Sequence, residues 1–207
     1  MSMPAAGTHV WQAQLDSEGW PGAERLPAEE RERAARLRSP LARRRWQAAR
    51  WALRTVLGRY LEEDPAEVLL RLGKHGKPML AAPSPVLRFN LSHSADLALV
   101  AIAWEREVGV DVERIAPRRE LAALARRALG RAEADAIEGM PPEDRLDAFH
   151  AAWTRREAVA KCLGTGLWAP PDAEVETTVA SLDAGPGFAA AIAVTGTDLP
   201  PLRRFVI

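Results

Sequence analysis

Residues 108–115 read VGVDVERI, and their alternation decides how the chain divides. Successive side chains of an extended strand point to opposite sides. Val108, Val110 and Val112 therefore share one face, and Gly109, Asp111 and Glu113 share the other. A strand with one apolar face needs partners, and the flanking sequence supplies them. Before it, FNLSHS (89–94) and LALVAIAW (97–104) read as adjacent short strands with Ala95-Asp96 between them. After it, LAALARRALG (121–130) and RLDAFHAAWTRREAVAKCLG (145–164) read as helices, the first stopped at Gly130. The tail offers three more strands, EVETTVASL, GFAAAIAVTG and LRRFVI, separated by glycine or proline.

Further out, residues 26–62 predict one long helix or two abutting ones, with Pro27 at the start, Pro40 breaking the stretch and Pro65 beyond the end. Segment GKHGKP (73–78) is a turn by its glycines and proline. The order is helix then strands, followed by strand, helices and strands. The expected fold class is therefore α+β, with an N-terminal lobe over 1–106 and a C-terminal lobe over 107–207, joined near Glu105–Glu107.

The composition narrows the function. A chain of 207 residues that is 47% hydrophobic can bury a core. Lys plus Arg and Asp plus Glu each number 28, so no whole-protein field favours nucleic acid or an anionic membrane. Charge is nevertheless uneven: residues 31–59 hold ten arginines against the single acid Glu32, which suits either a local anion site or a solvated helix face. Cys162 is the only cysteine, which excludes an internal disulfide and a cysteine-based zinc site. The start, MSMPAAGTHV, has neither a basic nor an apolar signal region, and LALVAIAW is far too short to span a membrane, so a cytoplasmic location is expected.

Four groups of residues can carry chemistry. Asp111 and Glu113 lie on one side of a strand, where two carboxylates repel unless a cation separates them, and a hard ion such as Mg²⁺ is held in this way. The plain alternative is the polar face of a half-buried strand. Glu157 and Lys161 sit one helical turn apart at the edge of an apolar arc formed by Phe149, Ala152, Trp153, Val159, Ala160 and Leu163. They are able to reach into a cleft, or to form an ordinary surface pair. Arg156 falls within that arc. Lys74, Gly76 and Lys77 of the 73–78 turn suit a phosphate, or simply solvent. Ser92 and His93 are neighbours on a strand and point to opposite faces, which argues against a serine hydrolase; His93 is suited to donate to a phosphate, or to serve structurally. Metal carboxylates, basic turns and a histidine together match a magnesium–pyrophosphate substrate.

The ordered set G-K-P (76–78), F-N-L-S-H-S (89–94), V-G-V-D-V-E (108–113) and W-T-R-R-E-A-V-A-K-C-L-G-T-G-L (153–167) resembles the 4′-phosphopantetheinyl transferase superfamily, in its larger single-chain Sfp type. The match spans roughly residues 26–170; the extreme N-terminus and the residues beyond match only in length and strand-like character. The resemblance implies a pseudo-dimer of two similar α+β lobes with coenzyme A between them. It implies that Asp111, Glu113 and Glu157 hold Mg²⁺, that Glu157 also activates the serine of an apo carrier protein, and that Lys161 approaches the transferring phosphate. Lys77, Pro78, Asn90, Ser92 and His93 match positions lining the nucleotide. Arg45 aligns with an arginine reaching the 3′-phosphate, with Arg44 and Arg50 as neighbouring substitutes. One departure is Arg156, where the family usually has lysine.

The reaction implied is attack of the carrier serine on the β-phosphate of coenzyme A, releasing 3′,5′-ADP. The basic residues Arg118, Arg119, Arg126, Arg127 and Arg131 are a candidate docking surface for an acidic carrier. Because one chain is long enough for both lobes, a monomer is expected. Two other readings stay open: an inactive relative serving as a binding partner, and an arginine-rich nucleic-acid module.

Overall fold

The computed structural model describes residues 7–73, 76–82, 86–118, 120–168 and 175–207. The protein is α+β and is built from one motif used twice. In the first lobe strand β1 (Thr8–Gln14) leads into helices α1 (Ala28–Ala35) and α2 (Pro40–Leu61), and then into the hairpin β4 (Leu87–Ser94) and β5 (Leu97–Trp104). A small antiparallel pair, β2 (Leu70–Leu72) and β3 (Pro78–Leu80), precedes that hairpin. In the second lobe β6 (Val108–Arg114) leads into α3 (Leu121–Leu129), α4 (Arg131–Glu138) and α5 (Arg145–Leu163), and then into β7 (Thr177–Leu182) and β8 (Phe188–Thr195). In both lobes the hairpin's second strand pairs antiparallel with the opening strand, giving the orders β4-β5-β1 and β7-β8-β6.

Local chemistry explains the boundaries. Pro40 starts α2 instead of interrupting a longer helix. It occupies the first turn, where a missing N–H costs nothing, and Ser39 Oγ accepts the Ala42 N–H at 3.3 Å. Gly130, at φ +87°, separates α3 from α4. Helix α4 has no counterpart in the sequence reading, because only Ala134 and Ile137 of its eight residues are buried.

The last strand ties the two lobes together: β9 (Leu202–Val206), at the end of the 107–207 stretch, crosses back and pairs parallel with β1. The first sheet is thereby completed as β4-β5-β1-β9. An opening strand needs a neighbour on its outer edge, and β9 is that neighbour for β1.

The sheet faces turned away from the helices meet in a shared core of Val10, Leu97, Leu99, Val108, Val110, Val112, Ile192 and Val194. Alternation along VGVDVERI is thus used on both sides: its valines enter this core, and its polar face turns toward α5.

Candidate active site

The site begins where β4 runs beside the exposed edge of β6. The pairing is made by side chains in place of a backbone ladder. Asn90 Oδ1 accepts the Val110 N–H at 2.9 Å, Ser92 Oγ the Val112 N–H at 3.3 Å, and Ser94 Oγ the Arg114 N–H at 3.1 Å. Each serine also donates to a carboxylate: Ser92 to Asp111 Oδ1 at 2.8 Å and Ser94 to Glu113 Oε2 at 3.0 Å. Alternate residues of FNLSHS therefore satisfy the edge of β6 and aim its acids.

Helix α5 closes on this strand because Gly109 has no side chain. A Cβ there would overlap the Ala158 carbonyl oxygen and the Cys162 nitrogen. The approach sets Glu157 and Lys161 over Asp111. Lys161 Nζ reaches Asp111 Oδ1 at 2.5 Å and Ser92 Oγ at 3.1 Å. Asp111 is only 3% exposed, and its second oxygen, Oδ2, is buried without a hydrogen-bond partner among the described residues. Leaving a buried acceptor unmade costs about 1–3 kcal/mol, more when it is charged, so this oxygen marks a place suited to a cation or donor.

Electrostatics give the same picture. Burial pushes the Glu157 carboxyl above its ordinary pKa; Lys161 opposes the shift, and the negative charges of Asp111 and Glu113 add to it. Glu157 therefore feels both strand acids. The three acids do not yet form a coordination shell: among the described residues no three His, Cys, Asp or Glu side chains are gathered to hold a metal. Two of them are engaged by cations instead, Asp111 by the ammonium of Lys161 and Glu113 by the Arg118 guanidinium at 3.5 Å. The donor set nevertheless fits a hard divalent ion: carboxylate oxygens, one of them orphaned, beside a cleft open to a phosphate.

The cleft has two adjoining parts. One, of about 290 Å³, is lined by Gly76, Lys77, Pro78, Asn90, Glu157 and Lys161 among others. The second, of about 260 Å³, shares Gly76, Pro78, Leu91 and Lys161 and adds Arg33, Trp46, Arg50, Ser92 and His93. His93 is exposed to this part of the cleft, and partial desolvation of its ring, then the charges of Lys161 and Arg50, hold its pKa below the ordinary value.

Most residues singled out in the sequence thus surround one cleft, but not all. Arg45 is turned away and makes a two-bond pair with Asp16 at 2.9 and 2.5 Å, outside both parts of the cleft. Arg50, five residues on, lines it. Lys74 and Arg119 lie outside the described residues. Lys77 lines the larger part, but its ammonium is engaged by the Lys161 carbonyl at 2.9 Å and by Glu107 at 3.6 Å. Arg156 donates to the Leu167 carbonyl at 3.3 Å on another side of α5. Cys162 is buried against the second sheet as a packing residue.

Arg33 and Trp46 were not singled out for the site. Trp46 has the Arg33 guanidinium 6.0 Å and the Arg50 guanidinium 5.8 Å from its ring centroid. The i, i+4 spacing of Trp46 and Arg50 was the available signal.

The arginine-rich stretch is largely consumed within the fold. Arg50 and Arg54 both grip Glu30. Burial pushes that carboxyl up, and the hydrogen bonds and charges of Arg54 and Arg50 overcome it, leaving the pKa below the ordinary value. Arg31 and Arg43 donate to backbone carbonyls. Of the candidate docking arginines, Arg126 meets Glu138 at 2.5 Å, Arg131 meets Asp135 at 3.7 Å, and Arg127 stacks over Trp168 at 4.4 Å.

The site of this two-lobed α+β protein thus joins a buried aspartate, two half-buried glutamates and a cleft lined by basic side chains. The comparison with known proteins is specific. The model of the 4′-phosphopantetheinyl transferase superfamily matches residues 107–190, and that of the 4′-phosphopantetheinyl transferase N-terminal region matches 11–105. The 4′-phosphopantetheinyl transferase HetI of Nostoc sp. is 36% identical over 176 residues, covering 82% of this chain and 74% of that protein. A putative 4′-phosphopantetheinyl transferase of Synechocystis sp. is 32% identical, covering 76% of this chain and 65% of its own. The 4′-phosphopantetheinyl transferase AcpT of Salmonella typhimurium is 40% identical over 121 residues, covering 58% and 61%. The chain belongs to the 4′-phosphopantetheinyl transferase superfamily, and its enzyme class is that of these transferases.

Proposed function

We propose that this chain transfers the 4′-phosphopantetheine arm of coenzyme A to a serine of an apo carrier protein, in the cytoplasm, releasing 3′,5′-ADP. The observation that carries the reading is the buried Asp111. One of its oxygens is held by Lys161 and Ser92 and the other has no partner among the described residues, beside a carboxyl, Glu157, whose pKa is raised.

The residues divide the work. Arg33 and Arg50 form a cationic wall for the nucleotide phosphates, His93 beside them would gain its charge as a phosphate arrives, and Trp46 flanks them. Asp111, Glu113 and Glu157 would hold Mg²⁺, which supplies charge neutralisation for the pyrophosphate. Lys161 is within reach of both Asp111 and the cleft, so its ammonium can turn from the carboxylate to the transferring phosphate. Glu157, with its raised pKa, is suited to accept the proton of the attacking serine. As the serine O–P bond forms, the bond from the β-phosphorus to its bridging oxygen breaks, and the electron pair leaves with 3′,5′-ADP.

The arginine-rich stretch gives no support to an extended nucleic-acid surface: Arg45 pairs with Asp16, Arg54 is buried on Glu30, and Arg50, which also contacts Glu30, opens into the cleft. No helix among the described residues is long and apolar enough to cross a membrane.

The test is incubation with coenzyme A, Mg²⁺ and a panel of apo carriers, read by mass spectrometry. The expected result is a gain of one phosphopantetheine on at least one carrier with release of 3′,5′-ADP. No gain on any carrier, from folded protein that binds coenzyme A, would leave only the inactive-relative reading.

A further inference from the structure

Lys77 stands at a three-way junction. Its turn is closed by the Gly73 N–H to its carbonyl at 2.8 Å and by the Gly76 N–H to Gly73 at 3.1 Å; Gly76 adopts φ +76°, which favours glycine. From this turn in the first lobe the side chain crosses to the second. Its ammonium donates to the carbonyl oxygen of Lys161 at 2.9 Å and lies 3.6 Å from Glu107 Oε2, in the link between lobes. Glu107 is gripped in turn by Arg88 at 2.7 Å, and its carbonyl contacts Cys162 Sγ at 3.2 Å. Turn, link and helix end are therefore tied at one point.

The final turn of a helix leaves carbonyls without intrahelical donors and carries partial negative charge. In α5 the Ala160 carbonyl is taken by the N–H groups of Gly164 and Thr165. The Lys161 carbonyl is taken from outside, by an ammonium, which is the favourable charge at that end. The residue whose carbonyl is held is the one whose side chain reaches Asp111.

The geometry points to Lys77 as a positioning residue: it caps the C-terminal turn of α5 from the opposite lobe and fixes the stem of Lys161 over Asp111. This replaces the nucleotide contact that the resemblance implied for Lys77. It rests on the transferase reading, in which Lys161 approaches the phosphate.

The test compares Lys77→Met with Lys77→Arg, alongside Glu107→Gln, which leaves the lysine and removes its counter-charge. In Lys77→Met, kcat for transfer is expected to fall about tenfold, while the KM for coenzyme A changes by less than about twofold. Arginine restores most of the loss, and Glu107→Gln shows a smaller fall of the same kind. Amide hydrogen exchange at residues 161–166 rises in substrate-free Lys77→Met. A raised KM with unchanged kcat would assign Lys77 to the nucleotide and overturn the inference, as would unaltered exchange at the helix end. Should Lys77→Met fail to fold, Lys77→Arg and Glu107→Gln carry the same kcat-against-KM comparison. The exchange measurement needs no substrate. A wild-type chain that transfers nothing therefore sinks the functional reading alone, and unaltered exchange in an active enzyme sinks this inference alone.

Discussion

The two lobes place different residues in equivalent positions on their opening strands. Strand β5 ends at Trp104 and β8 at Thr195, and the residues just before these ends pair with Thr8 and Val108 respectively. His9, Trp11 and Ala13 of the first lobe thus occupy the register of Gly109, Asp111 and Glu113 in the second. In the first lobe the helix meets the strand through large rings. Tyr60 of α2 is 2.6 Å from His9 Nδ1 and accepts from Trp11 Nε1 at 2.9 Å, while Trp11 stacks on Phe205 at 4.4 Å. In the second lobe α5 lies with its backbone against Gly109, and small residues, Ala158, Cys162, Ala191 and Ala193, fill the contact. One topology serves as a buttress where its strand is aromatic, and as a site where the strand carries glycine and acids. The outer edges differ too: β9 covers β1 with a backbone ladder, whereas β4 covers β6 with Asn90, Ser92 and Ser94.

The largest effect is expected at Gly109. Gly109→Ala forces overlap with helix backbone, which has no rotamer by which to yield, and should destabilise the protein by at least about 3 kcal/mol while lifting Glu157 and Lys161 off Asp111. His9→Ala, in the matching position, should cost roughly 2 kcal/mol and leave the kcat of the folded fraction unchanged. Denaturation midpoints and kinetics read both, and a Gly109→Ala protein as stable and active as its parent would break the comparison.

Next come the acids. Asp111→Asn and Glu157→Gln should each lower kcat by on the order of 10²–10⁴. Their stabilities carry a further sign. Glu157 has a raised pKa in the folded protein, so the stability tied to its proton is present at low pH and lost as pH rises through that value. At neutral pH its charge is unfavourable, and Glu157→Gln should raise the Tm of the metal-free protein. The gain should shrink toward acid pH, and a lowered Tm at pH 7 would contradict the electrostatic account.

What the sequence could show followed from local periodicity. The alternation of VGVDVERI and the helical spacing of Glu157 and Lys161 were readable, and in the structure Lys161 meets Asp111. What it hid depended on distant partners. Gly109 read as one polar-face position among three, because nothing local says that a helix fifty residues later will cross there. The Asn90, Ser92 and Ser94 ladder depends on a strand about twenty residues away. Among the arginines of α2, each residue turns the helix by about 100°, so Arg45 and Arg50 face different surroundings. Only Asp16 and Glu30 reveal which faces out and which lines the cleft. Strand β9 looked like its neighbours in the tail, and its return to β1 is a matter of topology.

The edge contrast can be sharpened at Ser92. Its hydroxyl accepts from the Val112 N–H and Lys161 and donates to Asp111. Ser92→Ala therefore strands the Val112 N–H and takes one of two partners each from Asp111 Oδ1 and Lys161; it should cost about 1–3 kcal/mol, together with loss of transfer. Truncating Arg204 on β9 leaves the backbone ladder to β1 intact and should cost no more than about 0.5 kcal/mol. Equal destabilisation by the two would show that the side-chain seam is no more critical than the backbone one.

The smallest effect separates two histidines. His93 faces the cleft with a lowered pKa, caused first by partial desolvation of its ring and then by Lys161 and Arg50. A phosphate arriving beside it favours the charged imidazolium, so binding coenzyme A should take up a proton. Affinity should then strengthen as pH falls from above the bound-state pKa toward the lowered free-state value, by at most about tenfold per pH unit for one proton. His9 is buried among the first lobe's rings, far in role from any phosphate. Calorimetry in buffers of different ionisation enthalpy counts the protons directly. His93→Gln should abolish the uptake, and His9→Ala should preserve it. Retention of the full uptake in His93→Gln would place the titrating group elsewhere and remove His93 from the phosphate site.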